Sequence, residues 1–208
     1  MKSQTKSLTK FTLGSETDQE WCDALTDEAE ECILAFKRFE RLGCLLIHGG
    51  KVSRQANKAY FGFLQHLYEW YKGAFIRERG NRRWAETEAK KQGIAVYDVL
   101  DGAFAVEAHR QVQRRLQAIK AGTAPIWENN ASYYEKLLLV FTTGGQFCRQ
   151  FGKDFRDARN NIHVSSTRTH LDLSDYYHKY HGVMWLLYCD LVTWKGENVS
   201  TIGSKFTL

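Results

Sequence analysis

The fold is decided by the stretch from Trp21 to Phe39, whose sequence is WCDALTDEAEECILAFKRF. Its apolar residues recur at steps of three and four, a spacing that places them on one face of an α-helix. They are Trp21, Leu25, Ala29, Cys32, Ile33, Phe36 and Phe39. Charged residues fill most of the positions between them, so the stretch predicts a long amphipathic helix with one buried side.

The same spacing returns along the rest of the chain and predicts a wholly helical protein. We expect the first helix to stop at Gly49-Gly50 and the second to end at about Arg79, so that the two form an antiparallel hairpin. Further helices are predicted to begin near residues 95, 130 and 174. Proline, which breaks helices, occurs once, at Pro125. The sequence therefore predicts an all-α antiparallel bundle of about five to six long helices.

These boundaries also predict the domain organisation. Residues 16–195 form one helical domain, because a chain of 208 residues is most simply one domain and can bury a core without staples. Residues 1–15 are rich in Lys, Ser and Thr and are predicted to be a flexible arm. Residues 196–208 are predicted to be a C-terminal tail. No apolar stretch is long enough to span a bilayer, so we expect no membrane contact.

The cysteines favour a cytoplasmic location. Five are present, an odd number without a CxxC pair, which argues against a disulfide framework and a zinc knuckle. Buried reduced thiols are typical of cytosolic proteins. His178 and His181 share a helical face, but their only obvious acidic neighbours are Asp172 and Asp175. We therefore predict no metal site and no cofactor.

Positive charge is concentrated in two places that are candidates for nucleic-acid binding. The net charge of +5 permits an RNA partner. Acidic residues at 78, 86 and 88 lie among the first group, so an ordinary solvated basic face is the alternative. The candidate nucleic-acid-binding residues are Arg77, Arg79, Arg82, Arg83, Arg114 and Arg115.

One short segment, residues 155–163 with the sequence FRDARNNIH, combines residue types suited to phosphodiester chemistry. On a helix its polar residues occur at i, i+3, i+4 and i+7 and share one face. They are Arg156, Arg159, Asn160 and His163. Phe155, Ala158 and Ile162 form an adjacent apolar stripe, which predicts that this helix packs against the core. A histidine can move protons and neighbouring arginines can hold an anion, which together favour chemistry at a phosphate. An ordinary charged helix face is the alternative interpretation.

This segment resembles the motif of the HEPN family, helical-bundle ribonucleases and RNA-binding proteins. The family motif is an arginine, four to six residues, then a histidine, often with Asn, Asp or His directly after the arginine. Arg156 and His163 fit that spacing, with Asp157 in the following position. Arg159-Asn160 matches the commoner Arg-Asn pair, but only three residues then separate Arg159 from His163. The resemblance covers roughly residues 17–194.

The resemblance implies a metal-independent endoribonuclease, such as a toxin or antiviral defence effector with an antitoxin or defence-complex partner. In those terms His163 would be the general acid or base, and Arg156, with Arg159, would hold the scissile phosphate. Asp157 or Asn160 would orient one of these side chains. The alternative is a non-catalytic helical module that binds RNA or protein.

Two further expectations concern geometry and assembly. Arg156 lies two helical turns, about 10 Å, from His163 and Arg159 only one turn, at 1.5 Å per residue. The family spacing therefore favours Arg156 as essential, whereas a regular helix favours Arg159. Cleavage usually needs both an acid and a base, so we expect a homodimer that brings two motifs together, with aromatic residues of the last helix at the interface.

Overall fold

A computed structural model of the chain describes residues 12–42, 54–125, 129–143, 145–160 and 173–196. Within those ranges the protein is all-α, with seven helices and no strand, which confirms the predicted fold class. None of these helices is long and apolar enough to cross a membrane. The helices are α1 (Glu16–Leu42), α2 (Arg54–Arg79), α3 (Trp84–Gln92), α4 (Val96–Lys120), α5 (Ala131–Thr143), α6 (Gly145–Asn160) and α7 (Leu173–Lys195).

Helices α1 and α2 form the predicted antiparallel pair. Arg77, near the end of α2, makes a bidentate ion pair with Asp18, near the start of α1, at 2.8 and 3.2 Å. Further along, the rings of Phe63 and Phe36 lie 5.0 Å apart, edge to face. Contacts between opposite ends of the two helices require them to run in opposite directions. The predicted stop at Gly49-Gly50 lies outside the described residues.

Helix α7 closes an aromatic core against this pair. Tyr188 stacks on Phe36 with ring centroids 4.2 Å apart, and His181 lies 3.1 Å from the Tyr60 hydroxyl, with which it shares a hydrogen bond. Most of the aromatic residues of α7 are buried inside this core, so our expectation that they form a dimer interface is wrong for them. They are Tyr176, Tyr177, Tyr180, Trp185 and Tyr188.

Helix α6 packs across α2 and α4. Its Phe155 is fully buried, with its ring centroid 5.1 Å from that of Phe104 and 5.3 Å from that of Tyr68. Gly152 allows the close approach, because a Cβ atom there would collide with the backbone of Asp101 in α4. This crossing fixes the position of α6, which carries residues 155–160 of the motif, relative to α4.

Helix α3 is an element that the sequence analysis did not predict. It has nine residues, of which only Trp84, Ala85 and Ala89 are buried. It follows a turn at Gly80 and ends at Gln92, directly before Gly93; both glycines have positive φ, at 56° and 69°. The sequence analysis missed this helix because it is short and mostly charged, so its apolar periodicity is weak. The contact between the Trp84 ring and Phe75 holds it against α2.

Candidate functional site

The apolar side of α6 anchors the motif. Phe155 and Ala158 are fully buried, as their spacing predicts, and the two motif arginines lie on either side of this anchor. Arg156 contacts α4, and Arg159 contacts α2. His163 lies outside the described residues.

Arg156 is held by a carboxylate and an aromatic ring. Its Nη1 lies 3.0 Å from Oδ2 of Asp101, and the two side chains are only 19% and 7% exposed. The guanidinium carbon lies 4.7 Å from the ring centroid of Tyr97, a cation–π contact. Asp157 Oδ1 is more distant, at 3.9 Å from Nε. These contacts fix the direction in which Arg156 presents its remaining N–H groups.

Arg159 is held in a similar way, but by a different helix. It forms an ion pair with Glu69 of α2, and its guanidinium carbon lies 5.6 Å from the ring centroid of Tyr68. It also donates a hydrogen bond of 2.9 Å to Oδ1 of Asn160, another polar residue of the motif. Each motif arginine therefore has its own carboxylate, and the structure directs the two toward opposite flanks of α6.

A groove of about 810 Å³ lies beside Arg156, between α6 and the start of α4. The Tyr97 ring forms one wall and is 54% exposed. Lys153, one helical turn before Arg156, adds an exposed positive charge. The groove is lined by Gln92, Ile94, Tyr97, Asp98, Asp101, Gly102, Gln150, Lys153 and Arg156.

Asp101 is the buried acid of this groove. Its pKa is raised to about 6, mainly because the carboxyl is buried; Arg156 and Lys153 act to lower this pKa, and nearby Asp98 and Asp157 act to raise it. At neutral pH the group is therefore mostly a carboxylate, but one that is easily protonated.

Two buried polar atoms of the residues that line the groove lack hydrogen-bond partners among the described residues. They are Oδ1 of Asp101 and Nη1 of Arg156, both buried. The ion pair between Arg156 Nη1 and Asp101 Oδ2 lacks hydrogen-bond geometry, so that nitrogen still has an N–H to donate. Buried polar atoms without a partner are unusual in folded proteins, and a ligand is one way to satisfy them.

The six arginines predicted to bind nucleic acid lie elsewhere; none of them lines this groove. Arg77 is paired with Asp18, and Arg79 stacks over the Trp84 ring at 4.1 Å. Arg82 lies over the Trp21 ring at 5.2 Å. These contacts are compatible with a structural role, and RNA binding by these residues stays a prediction.

Of the remaining three predicted arginines, two lie near a carboxylate and the third is half-buried. Arg83 is 3.7 Å from Glu86, and Arg114 is 3.6 Å from Asp190. Arg115 is half-buried on α4. Nearby carboxylates reduce the positive potential that an RNA backbone would meet at these positions.

The two histidines of α7 differ in environment. His181 is buried, and burial lowers its pKa to about 3, so it is neutral at physiological pH. His178 is exposed. No group of three potential metal-binding side chains occurs in the part of the chain that the structure describes.

The sequence analysis missed Asp101, Tyr97, Lys153 and Glu69. Asp101 left a usable signal, because it precedes Phe104 by three residues and so lies on the apolar side of α4. An acid at a buried position needs a cationic partner. The pattern does not reveal that the partner is Arg156, since only the tertiary packing of α6 brings the two together.

The fold and the groove define the class of the molecule as an all-α bundle with an arginine–carboxylate groove on its motif helix. No protein-family model, curated protein or solved structure matches this chain.

Proposed function

We propose that this chain is a HEPN-type endoribonuclease that cleaves RNA without a metal, with Arg156 and His163 as its principal residues. The observation that supports the proposal best is the position of Arg156, which is fixed by Asp101 and Tyr97 at the edge of a groove of about 810 Å³. Grooves of roughly 300–1,000 Å³ are typical of small-ligand sites, so one or two nucleotides fit.

The proposed chemistry uses the RNA's own 2′-hydroxyl. A base removes its proton, the 2′-oxygen attacks the phosphorus, and the 5′-oxygen leaves with a proton from an acid; the products are a 2′,3′-cyclic phosphate and a 5′-hydroxyl. His163 supplies one of these proton transfers. Arg156 stabilises the charge on the phosphate, for which the fork of five donors leaves N–H groups beyond those that face Asp101. Arg159 is auxiliary.

A homodimer would complete the site. One motif contains a single histidine, whereas the reaction uses an acid and a base, and two-fold symmetry would bring a second His163 to the same scissile bond. Light scattering at micromolar concentration tests this part: we expect a dimer, and a fully active monomer would contradict the composite site. An antitoxin or defence-complex protein is the kind of partner that we propose would regulate such an enzyme.

The test of the activity is an RNA cleavage assay in excess chelator. We expect wild type to cleave and His163→Ala to be inactive, with products that end in a cyclic phosphate. His178→Ala is the matched control, because it removes an exposed histidine of α7 that the proposal does not use. Absence of cleavage in a folded wild-type dimer on a range of RNAs would contradict the proposal.

A second candidate is a non-catalytic helical module that binds RNA or protein. The ion pairs of both motif arginines favour it, since Asp101 and Glu69 partly neutralise the charges that a phosphate needs. In that case His163→Ala would leave binding unchanged and no chelator-resistant cleavage would be found.

A further inference from the structure

Two arginine–aspartate pairs of this protein differ in how well the carboxylate is supported. Asp18 accepts two hydrogen bonds from the Arg77 guanidinium, at 2.8 and 3.2 Å, and a third from the backbone N–H of Gly14, at 2.8 Å. Hydrogen bonds to a carboxylate favour its charged form, so the Arg77 guanidinium and the Gly14 N–H lower the pKa of Asp18. Asp18 therefore stays ionised at neutral and mildly acidic pH.

Asp101 and Arg156 lack this support. Oδ2 of Asp101 lies 3.0 Å from Nη1 of Arg156, but the contact lacks hydrogen-bond geometry, and Oδ1 has no hydrogen-bond partner among the described residues. The Asp101 side chain is nevertheless only 7% exposed. A buried carboxylate that is paired through one poorly aligned contact is not compensated for the hydration that it has lost, so its neutral form is favoured.

The groups around Asp101 leave it as the residue that takes up a proton. The nearest charged groups on its own helix and on α6 are Asp98, Lys153, Arg156 and Asp157. On α2, the Tyr68 hydroxyl interacts with Asp101 and with the Glu69–Arg159 ion pair, and burial raises the pKa of Tyr68 to about 12. The groove residue of α3, Gln92, is uncharged. None of these neighbours is a histidine, the side chain that ordinarily titrates between pH 5 and 8.

Protonation of Asp101 changes the charge of the groove. Its charged lining residues are two acids and two bases, Asp98, Asp101, Lys153 and Arg156, so their charges cancel while Asp101 is ionised. When Asp101 is neutral, the same lining carries one net positive charge. The Arg156 side chain, which is 19% exposed, keeps its cation–π contact with Tyr97 at 4.7 Å, because that contact does not require the carboxylate.

We propose that Asp101 is an acid-operated charge switch for Arg156: the ionised carboxyl offsets the guanidinium charge, and the protonated carboxyl leaves that charge to a phosphodiester anion in the groove. The inference deepens the proposed function and rests on it for the source of the anion, which is the RNA backbone. By thermodynamic linkage, protonation of Asp101 strengthens anion binding and anion binding strengthens protonation to the same extent.

The first experiment is a calorimetric titration of the full-length wild-type protein with a deoxythymidylate hexamer at pH 7.5 and pH 5.5. The phosphodiesters keep their charge over this range, and without 2′-hydroxyl groups the hexamer is not cleaved by the proposed reaction. Linked sites are typically coupled about 5- to 150-fold, so with the pKa of Asp101 at about 6 we expect binding about 4- to 20-fold tighter at pH 5.5. Equal affinity at the two pH values, or no binding at either, would overturn the proposal.

Proton uptake distinguishes a switch at Asp101 from a general gain of positive charge. Titrations at pH 7 in two buffers of different ionisation enthalpy report the number of protons that bind with the anion. For the same range of coupling, we expect wild type to take up about 0.2–0.9 proton more per hexamer than Asp101→Asn, because the anion raises the pKa of Asp101 from about 6. Equal uptake by the two proteins would contradict the switch.

Matched variants assign the pH dependence. Asp101→Asn is permanently neutral and keeps every histidine, so it should bind the hexamer at pH 7.5 as tightly as wild type does at pH 5.5. Asp98→Asn removes an exposed carboxylate of the same groove, one helical turn earlier, and should keep the pH dependence of wild type. Wild-type pH dependence in a folded Asp101→Asn protein would contradict the assignment.

A further variant decides the case in which melting curves show that Asp101→Asn does not fold. Arg156→Gln removes the charge that Asp101 offsets, so it should bind the hexamer weakly at both pH values. An Arg156→Gln protein that retains the tighter binding at pH 5.5 would contradict the switch.

Failure of the switch and failure of the ribonuclease give different results. The hexamer has no bond that the proposed reaction cleaves, so its binding tests the switch alone. Asp101-dependent binding by a wild-type protein that does not cleave RNA would refute only the ribonuclease. Cleavage of RNA by wild type, together with anion binding that does not change with pH, would refute only the switch.

Discussion

The core between α1, α2 and α7 and the groove between α4 and α6 differ in how completely their buried groups are packed and paired. In the core, large aromatic rings such as Phe36, Phe63 and Tyr188 are fully buried, and the buried histidine of α7, His181, shares a hydrogen bond with Tyr60. In the groove, a buried carboxyl with a raised pKa faces an arginine, and polar atoms lack partners among the described residues. Such departures from complete packing and pairing are typical of functional sites rather than of stabilising ones.

The largest expected difference is between a core aromatic and the groove aromatic. Phe63→Ala should lower the free energy of unfolding by about 3–5 kcal/mol, because it leaves a cavity among tightly packed rings. Tyr97→Ala should change it by about 1 kcal/mol or less, since its ring is half-exposed. Urea denaturation with unchanged m-values measures both. Equal destabilisation by the two substitutions would remove the distinction between core and groove.

The second prediction concerns the pH dependence of the core. The pKa of His181 is lowered to about 3 from 6.5, so the unfolded chain binds a proton at pH values where the folded protein does not. The contribution of His181 to the free energy of unfolding is therefore fully present above pH 6.5. It falls as the pH drops, by roughly 3 kcal/mol by pH 4. We expect His181→Phe to unfold with a smaller loss of stability over this pH range. The same acid sensitivity in wild type and variant would show that His181 is not the buried neutral group described.

Two helical glycines provide a finer contrast at the boundary of the groove. Gly152→Ala places a Cβ atom against the backbone of Asp101 and should cost about 1–3 kcal/mol through displacement of α6. Gly102→Ala meets open space and should raise stability by about 0.5–1 kcal/mol through improved helix propensity. Thermal melts of the two variants against wild type test the pair. A stabilising Gly152→Ala would mean that the close crossing of α4 and α6 is wrong.

The fold could be predicted because the apolar periodicity of each long helix repeats over many residues. The spacing in α1, which spans 27 residues, identifies the buried face correctly, including Ala29, Phe36 and Phe39. The nine residues of α3 contain too few apolar positions for the same reasoning. Long helices therefore follow from sequence periodicity, whereas the short one depends on tertiary contacts such as the one between Trp84 and Phe75.

The site was predictable only in part. The periodicity of residues 155–163 correctly predicts that Phe155 and Ala158 are buried, and it places both arginines on the polar face. It does not show that Arg156 meets Asp101 while Arg159 meets Glu69, because helices distant in sequence supply these partners. A one-dimensional pattern gives the face of a helix but not the residues that pack against it.

The central claim is that Arg156 on the groove side of α6 is the essential arginine and Arg159 is auxiliary. The most direct measurement is the RNA cleavage rate, in chelator, of wild type, Arg156→Lys and Arg159→Lys, with folding checked by circular dichroism. Lysine keeps the charge but lacks the planar fork of donors. We expect Arg156→Lys to abolish cleavage with folding intact and Arg159→Lys to reduce it less. An inactive Arg159→Lys beside a near-wild-type Arg156→Lys would contradict the assignment of the motif to Arg156 and its groove.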